Sequence, residues 1–266
     1  MIKMINMPLG FISHGAPTVA LTPNSDYARA LVNWARQMPR PDALVVVSAH
    51  WEAPGPVRVT SGLNPPVIHD FGGFPEPLYA MTYPAPGAPG LSAEIVSLLT
   101  AAGVPAILDP LRGWDHGVWI PLRLAFPAPE IPVVQISLLA SAVPEEILMV
   151  GRALVPLRRR RILLVGSGGV VHNLRLLRYE AEEAPIDDWA HQFDHWVRAR
   201  LGENDPGSLI RYRELAPGAG LAVPTTEHFN PIFFVLGAMS EIDRVSDIHE
   251  GFQYGNLSMR CFEVNS

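Results

Sequence analysis

Short, continuous apolar runs alternate with longer stretches of mixed polarity along this chain. The apolar runs predict β-strands covered on both faces, and they lie at residues 8–12, 43–48, 56–60, 104–108, 131–137 and 161–166. The mixed stretches predict helices, and they lie at residues 25–38, 91–102, 144–157, 186–201 and 231–239. This alternation of strand and helix predicts an α/β sandwich.

The predicted helix at residues 186–201 has one clearly apolar face. That face carries Trp189, Phe193, Trp196, Val197 and Leu201. His191 and His195 lie on the opposite side, so we interpret this pair as solvent-exposed. Their sequence, HQFDH, also lacks the glutamate of the HExxH zinc motif.

Prolines and glycines concentrate in two regions of the chain. The chain has 27 prolines and 22 glycines, and they cluster at residues 53–90 and 203–231. We interpret both regions as long loops, which are uncommon in compact domains unless they are functional. No repeat or low-complexity tract divides the chain, so we predict one domain over residues 1–266.

Composition narrows the class of protein. With 48% hydrophobic and 17% charged residues, the chain is typical of a globular protein. A net charge of −6 gives no reason to expect a nucleic-acid partner. The basic run at residues 158–161 precedes a predicted strand, and we interpret it as a solvated helix end.

No sequence segment indicates secretion or membrane insertion. No apolar run approaches membrane-spanning length, and the N-terminus lacks the pattern of a signal peptide. Cys261 is the one cysteine, which excludes an internal disulfide and a thiolate-rich metal site. We therefore expect a cytoplasmic protein.

Three histidines lie just past strand-like runs. They are His14 in PLGFISHGAP, His50 in ALVVVSAHWE and His172 in RILLVGSGGVVHN. Open α/β sheets bind ligands outside the carboxyl ends of their strands, so these side chains should converge. Imidazole is a common metal ligand and transfers protons near neutral pH. The pattern predicts a metal site with a histidine acid/base.

Two further histidines, in loop-like segments, extend that hypothesis. His116 lies in RGWDHGVW and His228 in PTTEHFNP. Neutral histidines favour iron, zinc or copper over calcium or magnesium. Glu227 precedes His228, so a site with two histidines and one carboxylate would use Glu227, whereas a three-histidine site would use His228. Periodicity leaves both possibilities open.

The glycine-rich segment GSGG at residues 166–169 follows a predicted strand. It matches neither the P-loop pattern nor GxGxxG, so it gives only weak support for phosphate binding. We instead predict that these glycines permit a close backbone approach, which turns residues 170–172 into the crevice.

Seven motifs in order resemble one enzyme family. They are SHGAP, VVVSAHW, HDFGGFP, GWDHGVW, VQISL, SGGVVHNLR and EHFNP. The set is similar to the bacterial and plant 4,5-DOPA extradiol dioxygenases, which belong to the class III extradiol ring-cleavage enzymes. That class includes the catalytic subunit of protocatechuate 4,5-dioxygenase. The resemblance runs from His14 to about Ser258 and implies one α/β domain around a central mixed β-sheet flanked by helices.

The resemblance also implies roles for individual residues. His14, His50 and His228 would bind the metal, since EHFNP resembles the DOPA branch, in which the third ligand is histidine. His172 would be the catalytic acid/base, and His116 would line the pocket for oxygen and substrate. The expected metal is iron(II), and zinc(II) is also compatible with three imidazoles.

The implied chemistry is cleavage by O2 of the aromatic ring of a catechol, a DOPA-like or related dihydroxyphenyl compound. Three protein ligands on one face of iron(II) leave positions for both reactants. A histidine with an unperturbed pKa of about 6.5 can take a catechol proton and later return one. Two alternatives remain open: a zinc hydrolase, and a non-catalytic metal-binding or signalling protein on the same fold.

Several residues are candidates for the substrate pocket. We predict Asp115, Trp114 and Phe74 as substrate-binding residues, with Asp115 also able to orient His116. Other possible apolar wall residues are Phe71 and Tyr79. The loops at residues 62–86 and 203–225 should shape the pocket. Arginines that could pair with a substrate carboxylate, although each is more simply a surface charge, are Arg175, Arg211 and Arg213.

Overall fold

An eight-stranded mixed sheet forms the centre of the protein. The computed structural model describes residues 6–266. The strands are β1 (Leu9–Ser13), β2 (Ala43–Ala53), β3 (Val57–Thr60), β4 (Ala106–Asp109), β5 (Val133–Leu139), β6 (Ile162–Gly168), β7 (Arg244–His249), β8 (Phe252–Gln253), β9 (Leu257–Ser258) and β10 (Cys261–Asn265). The order in the large sheet is β4-β3-β5-β2-β6-β1-β10-β7, and β8 pairs with β9 in a separate hairpin.

Helices cover the two faces of this sheet. They are α1 (Asp26–Gln37), α2 (Pro89–Ala101), α3 (His116–Ala125), α4 (Pro144–Ala153), α5 (Val155–Arg158), α6 (Asp188–Gly202), α7 (Pro206–Ile210), α8 (Tyr212–Leu215), α9 (Ala219–Ala222) and α10 (Pro231–Gly237). Short 3-10 helices span Pro17–Leu21, Glu76–Leu78 and Leu174–Leu176. The predicted α/β architecture with a mixed central sheet is confirmed.

The four central strands explain the continuous apolar runs in the sequence. Strands β5, β2, β6 and β1 are parallel neighbours. Along β2, Val45 and Val47 pack in the core that includes α4 and α10, whereas Leu44 and Val46 pack in the core with α1 and α3. Because both faces are buried, both sets of alternating side chains must be apolar.

The carboxyl ends of these four strands meet at one edge of the sheet. Strands β3 and β4 run in the opposite direction, because β3 pairs antiparallel with β5 and parallel with β4. On the other side, β10 pairs antiparallel with β1, and β7 pairs antiparallel with β10. The segments that follow the four parallel strands β5, β2, β6 and β1 therefore converge at one end of the sheet.

All six predicted strands and all five predicted helices occur, with shifted ends. The predicted helix at residues 144–157 is divided at Leu154 into α4 and α5. Helix α3 was not predicted, because it is buried on nearly all sides and contains Pro121, so it has no polar face to reveal its period. The prediction of a long loop at residues 203–231 is wrong, since α7, α8 and α9 lie there.

Two predictions about surface segments have different outcomes. His191 and His195 are exposed on α6, which confirms that they face solvent. The interpretation of residues 158–161 as a solvated helix end is wrong for Arg158, whose side chain is 1% exposed. Within residues 6–266, no helix is both long and apolar enough to cross a membrane.

Arg158 connects three separate parts of the chain. Its guanidinium donates hydrogen bonds to the carbonyl oxygens of Met7 and Ala238, at 3.0 and 3.1 Å. It also pairs with the buried Asp243 carboxylate at 2.6 Å. Burial alone would raise the pKa of Asp243, but hydrogen bonds from Arg158 and Ser240 outweigh it and leave that pKa below its usual value.

We predict that Arg158→Leu destabilises the fold by about 3–5 kcal/mol, because it leaves the Asp243 carboxylate buried without its partner. Urea denaturation of the variant and of the wild type measures this difference. Arg159→Leu is the matched control, since the neighbouring Arg159 is exposed and its loss should change stability by less than about 0.5 kcal/mol. Equal stabilities for the two variants would contradict the structural role of Arg158.

Candidate metal centre and active site

Five histidines from separate parts of the chain meet at the carboxyl edge of the parallel strands. The ring centroid of His14 lies 4.8 Å from that of His50 and 5.3 Å from that of His228. His116 lies 3.9 Å from His50. His172 stacks on His228 with the ring centroids 3.4 Å apart and the planes nearly parallel. The convergence of strand-end histidines expected from the sequence is thus present.

Two glycines let the backbone come close enough for this cluster to form. A Cβ at Gly168 would lie 2.1 Å from the carbonyl oxygen of His228, and the Gly169 amide donates a hydrogen bond to that same oxygen. A Cβ at Gly117 would lie 2.4 Å from the Ser48 hydroxyl. The glycine-rich segment therefore permits a close approach, as predicted, and its partner is the segment that carries His228.

Each member of one histidine trio, His14, His50 and His228, has its Nδ1 atom next to a polar partner. His14 Nδ1 lies 3.0 Å from the Ser167 hydroxyl. His50 Nδ1 lies 3.4 Å from a carboxylate oxygen of Asp70, and His228 Nδ1 lies 3.1 Å from one of Glu227.

These partners determine which ring nitrogen carries the proton. The Ser167 hydroxyl donates its one hydrogen bond to the carbonyl oxygen of Gly117, so its oxygen accepts a hydrogen bond from His14 Nδ1. Ionised carboxylates can only accept hydrogen bonds. These contacts favour the tautomer with the proton on Nδ1 and the lone pair on Nε2 in all three imidazoles.

Burial keeps four histidines of the cluster, His14, His50, His172 and His228, uncharged near neutral pH. Burial, followed by the neighbouring imidazoles, holds the pKa values of His14 and His228 well below the usual value. Burial and the adjacent His116 lower the pKa of His50 to about 3. Burial also lowers the pKa of His172 to about 4, although the Glu227 charge opposes this change. The four rings are neutral at pH 7.

The bare Nε2 atoms fit a metal ion. His14 Nε2 and His50 Nε2 lie 3.0 Å apart, and without a proton between them their lone pairs repel. His228 Nε2 is buried and has no hydrogen-bond partner. Nitrogen atoms of these three residues lie within 4.8 Å of one another. A divalent cation would satisfy all three, and neutral imidazoles favour iron, zinc or copper.

Asp70 is a site residue that the sequence analysis did not assign. Its carboxylate contacts His50 and also lies 3.0 Å from His116 Nδ1. The backbone amide of His116 donates to it at 2.9 Å. Burial would raise the pKa of Asp70, but interactions with His116 outweigh this and lower it to about 2. The available signal was the motif HDFGGFP, in which Asp70 is the acidic residue.

Trp114 and Asp115 do not lie at the cavity surface, in contrast to their predicted contact with substrate. Both side chains are fully buried. Asp115 accepts hydrogen bonds from Ser48 of β2 and Gln135 of β5. It also accepts one from Arg112, which in turn donates to the carbonyl oxygen of His50. Asp115 thus ties the strand that carries His50 to the start of helix α3.

One cavity of about 490 Å³ opens onto the histidine cluster. All five histidines and the predicted residues Phe71 and Phe74 line it. Tyr79 does not line it and contacts the Phe71 ring instead. Within residues 6–266, the segment 203–225 contributes no lining residue, but the carbonyl oxygen of Ala222 accepts a hydrogen bond from the His172 amide. Lining residues that the sequence analysis did not identify are Leu174, Leu177, Tyr179, Tyr254 and Leu257.

Comparison with known proteins gives a consistent result along almost the whole chain. The family described as the catalytic LigB subunit of aromatic ring-opening dioxygenase matches residues 8–260. A 4,5-DOPA dioxygenase extradiol of Escherichia coli K12 is 40% identical, over 97% of this chain and 94% of that protein. The protein of the same description from Beta vulgaris is 34% identical, over 96% of each chain.

A solved structure is also similar. The crystal structure of an uncharacterized Escherichia coli K12 protein superimposes with a TM-score of 0.80 and has 35% sequence identity. The match covers 97% of this chain and 99% of the other. The resemblance inferred from the seven motifs is therefore confirmed by sequence and by fold.

We predict that Asp70→Asn weakens metal binding about 10–100-fold, because His50 loses the carboxylate that holds its Nδ1 proton. Competition between the protein and a chromophoric zinc chelator measures the affinity. Asp26→Asn is the control, since Asp26 is an exposed carboxylate at the start of α1. Equal affinities for the two variants would contradict this role for Asp70.

Proposed function

This chain belongs to the family of the catalytic LigB subunit of aromatic ring-opening dioxygenases and is an extradiol ring-cleaving enzyme, and we propose that it cleaves a catechol with O2 by means of iron(II). In this proposal His14, His50 and His228 hold the metal. The observation that carries the proposal is the convergence of ring nitrogens of these three residues within 4.8 Å of one another, with His228 Nε2 buried and without a hydrogen-bond partner.

Iron(II) bound there would supply open coordination positions for the catechol oxygens and O2, and would allow electrons to pass between them. The chain itself contributes a neutral ligand set. Because no thiolate or tyrosinate is part of the trio, this donor set suits a divalent ion. Zinc is compatible with the same imidazoles, but it has no redox chemistry.

His172 is the proposed acid/base. It lines the cavity and is not a member of the ligand trio. Because burial lowers the pKa of His172 to about 4, its imidazole is neutral at pH 7. Its free nitrogen lone pair can then accept a proton from a catechol hydroxyl. Stacking on His228 places the ring next to the metal site, so the same group can later return the proton.

His116 is proposed to contact the bound substrate or O2. Its ring lines the same cavity and packs against the Phe71 ring, with the centroids 5.6 Å apart. Asp70 accepts a hydrogen bond from the His116 backbone amide, and its carboxylate lies 3.0 Å from His116 Nδ1. This fixed position allows His116 to hydrogen-bond a reactant without moving, which favours preorganised catalysis.

The function is tested by loading the purified protein with iron(II) under anaerobic conditions and then adding O2 and a panel of catechols. We expect O2 uptake and a yellow semialdehyde, the product of cleavage beside the two hydroxyls. His14→Ala should abolish both signals, whereas His191→Ala, an exposed histidine, should retain them. A colourless cis,cis-muconate would contradict the extradiol reaction, and a zinc hydrolase or non-catalytic binding protein would show neither O2 uptake nor coloured product.

We predict that His172→Gln lowers kcat about 10²–10⁴-fold, since general acid/base catalysis typically contributes that factor. Iron content should remain equal to that of the wild type, because His172 is not a ligand in this assignment. His195→Gln, on the exposed face of α6, is the matched control. Turnover of His172→Gln at the wild-type rate would exclude His172 as the acid/base.

A further inference from the structure

The cavity above the histidines has an apolar wall built from two segments. Leu174, Leu177 and Tyr179 come from the segment that follows His172, and Tyr254 and Leu257 come from the β8–β9 hairpin. The rings of Tyr179 and Tyr254 lie 6.2 Å apart. Leu174 is 49% exposed and Tyr179 is 63% exposed, so this apolar surface continues to the mouth of the cavity.

No cationic partner for a substrate carboxylate lines this cavity within residues 6–266. Its lining contains one carboxylate, that of Asp70, and no lysine or arginine. Arg178 lies beside the wall, but it is paired with Asp187 and the carbonyl oxygen of Pro185. A carboxylate placed against this wall would lose water without gaining a cationic partner, which is unfavourable.

The arginines considered from the sequence do not change this conclusion. Arg175 is exposed and does not line the cavity. Arg211 pairs with Glu214 at 3.1 Å, and Arg213 lies over the ring of Tyr212.

Tyr254 has a backbone conformation that tyrosine rarely adopts. Its φ is 53°, and that of the next residue, Gly255, is 87°. Hairpin turns with such angles strongly prefer asparagine, aspartate or glycine. The turn is held by hydrogen bonds from the Tyr254 amide to the Glu182 carbonyl and from the Arg178 amide to the Tyr254 carbonyl. A bulky residue in this region points to a use for its side chain, and the ring lines the cavity.

The cavity is also larger than one aromatic ring requires. Its volume is about 490 Å³, whereas an apolar cavity of about 150 Å³ holds a benzene molecule. If the two catechol hydroxyls face the histidines, a substituent of the ring has space and meets the apolar wall.

On the basis of the proposed function, we propose that the substrate is a catechol with an uncharged, apolar alkyl or aryl substituent, and that Tyr254 is a specificity residue which contacts that substituent. The apolar wall stabilises such a group by burying it. The same wall disfavours a carboxylate, because its lining has no lysine or arginine and includes one like charge, Asp70.

A matched pair of substrates tests the substrate class. 4-Propylcatechol and dihydrocaffeate have side chains of similar length, and dihydrocaffeate ends in a carboxylate. With the iron(II)-loaded enzyme, kcat/KM should be at least about tenfold higher for 4-propylcatechol, because dihydrocaffeate leaves a charged group without a partner. Equal or higher kcat/KM for dihydrocaffeate would overturn the proposal.

Two variants test the wall itself. Tyr254→Asn removes the ring and introduces asparagine, which the turn accepts. It should raise KM for 4-propylcatechol about tenfold, while kcat and the KM for unsubstituted catechol change by less than about twofold. Arg161→Asn is the control, since Arg161 also has a positive φ but does not line the cavity. Leu177→Arg should lower KM for dihydrocaffeate by adding a cation. Equal effects of Tyr254→Asn on both neutral substrates, or none, would exclude Tyr254 as a specificity residue.

A binding measurement separates failure of this proposal from failure of the proposed function. If no catechol is cleaved, equilibrium dialysis of the zinc-loaded protein still compares the affinities for 4-propylcatechol and dihydrocaffeate. Tighter binding of 4-propylcatechol than of dihydrocaffeate would support the substrate class even though the reaction is lost. Tighter or equal binding of dihydrocaffeate would overturn the substrate class, whatever reaction the protein catalyses.

Discussion

The free-energy cost of charging a buried imidazole is the constraint on which this site depends. A protonated histidine in the cluster would lose its hydration and repel its neighbours, so His14, His50 and His228 stay neutral near pH 7. Neutral rings still need a proton on one nitrogen. Ser167, Asp70 and Glu227 hold that proton on Nδ1, so each lone pair on Nε2 is available to a metal ion. Burial and hydrogen bonding together thus prepare the ligand set.

The fold provides the positions from which these rings converge. The segments that follow β1 and β6 and the end of β2 lie side by side because the central strands are parallel. The His228 segment joins them because Gly168 has no Cβ to block its backbone. Asp115 then links β2, β5 and the start of α3 in one buried hydrogen-bond network, which keeps His50 and His116 in register with each other.

The sequence predicted the parallel centre of the sheet and the convergence of its histidines, because both depend on local patterns. Continuous apolar runs mark strands that are buried on both faces, and a histidine after such a run lies at the carboxyl edge. Features that depend on distant contacts were not predictable in this way. Asp70 acts through two histidines that are remote from it in sequence. Arg158 is buried together with its ion-pair partner Asp243, which is also distant in sequence. Helix α3 has no exposed face that could show a helical period.

The most direct test of this account is the location of the metal itself. Anomalous diffraction from a crystal of the iron(II)-loaded protein, grown without O2, identifies the ion and its ligand atoms. The account predicts one ion bound by the Nε2 atoms of His14, His50 and His228. The Asp70 carboxylate should lie beside His50 Nδ1, and the Glu227 carboxylate beside His228 Nδ1. An ion bound through a carboxylate oxygen of Glu227 or Asp70, or located away from this trio, would contradict it.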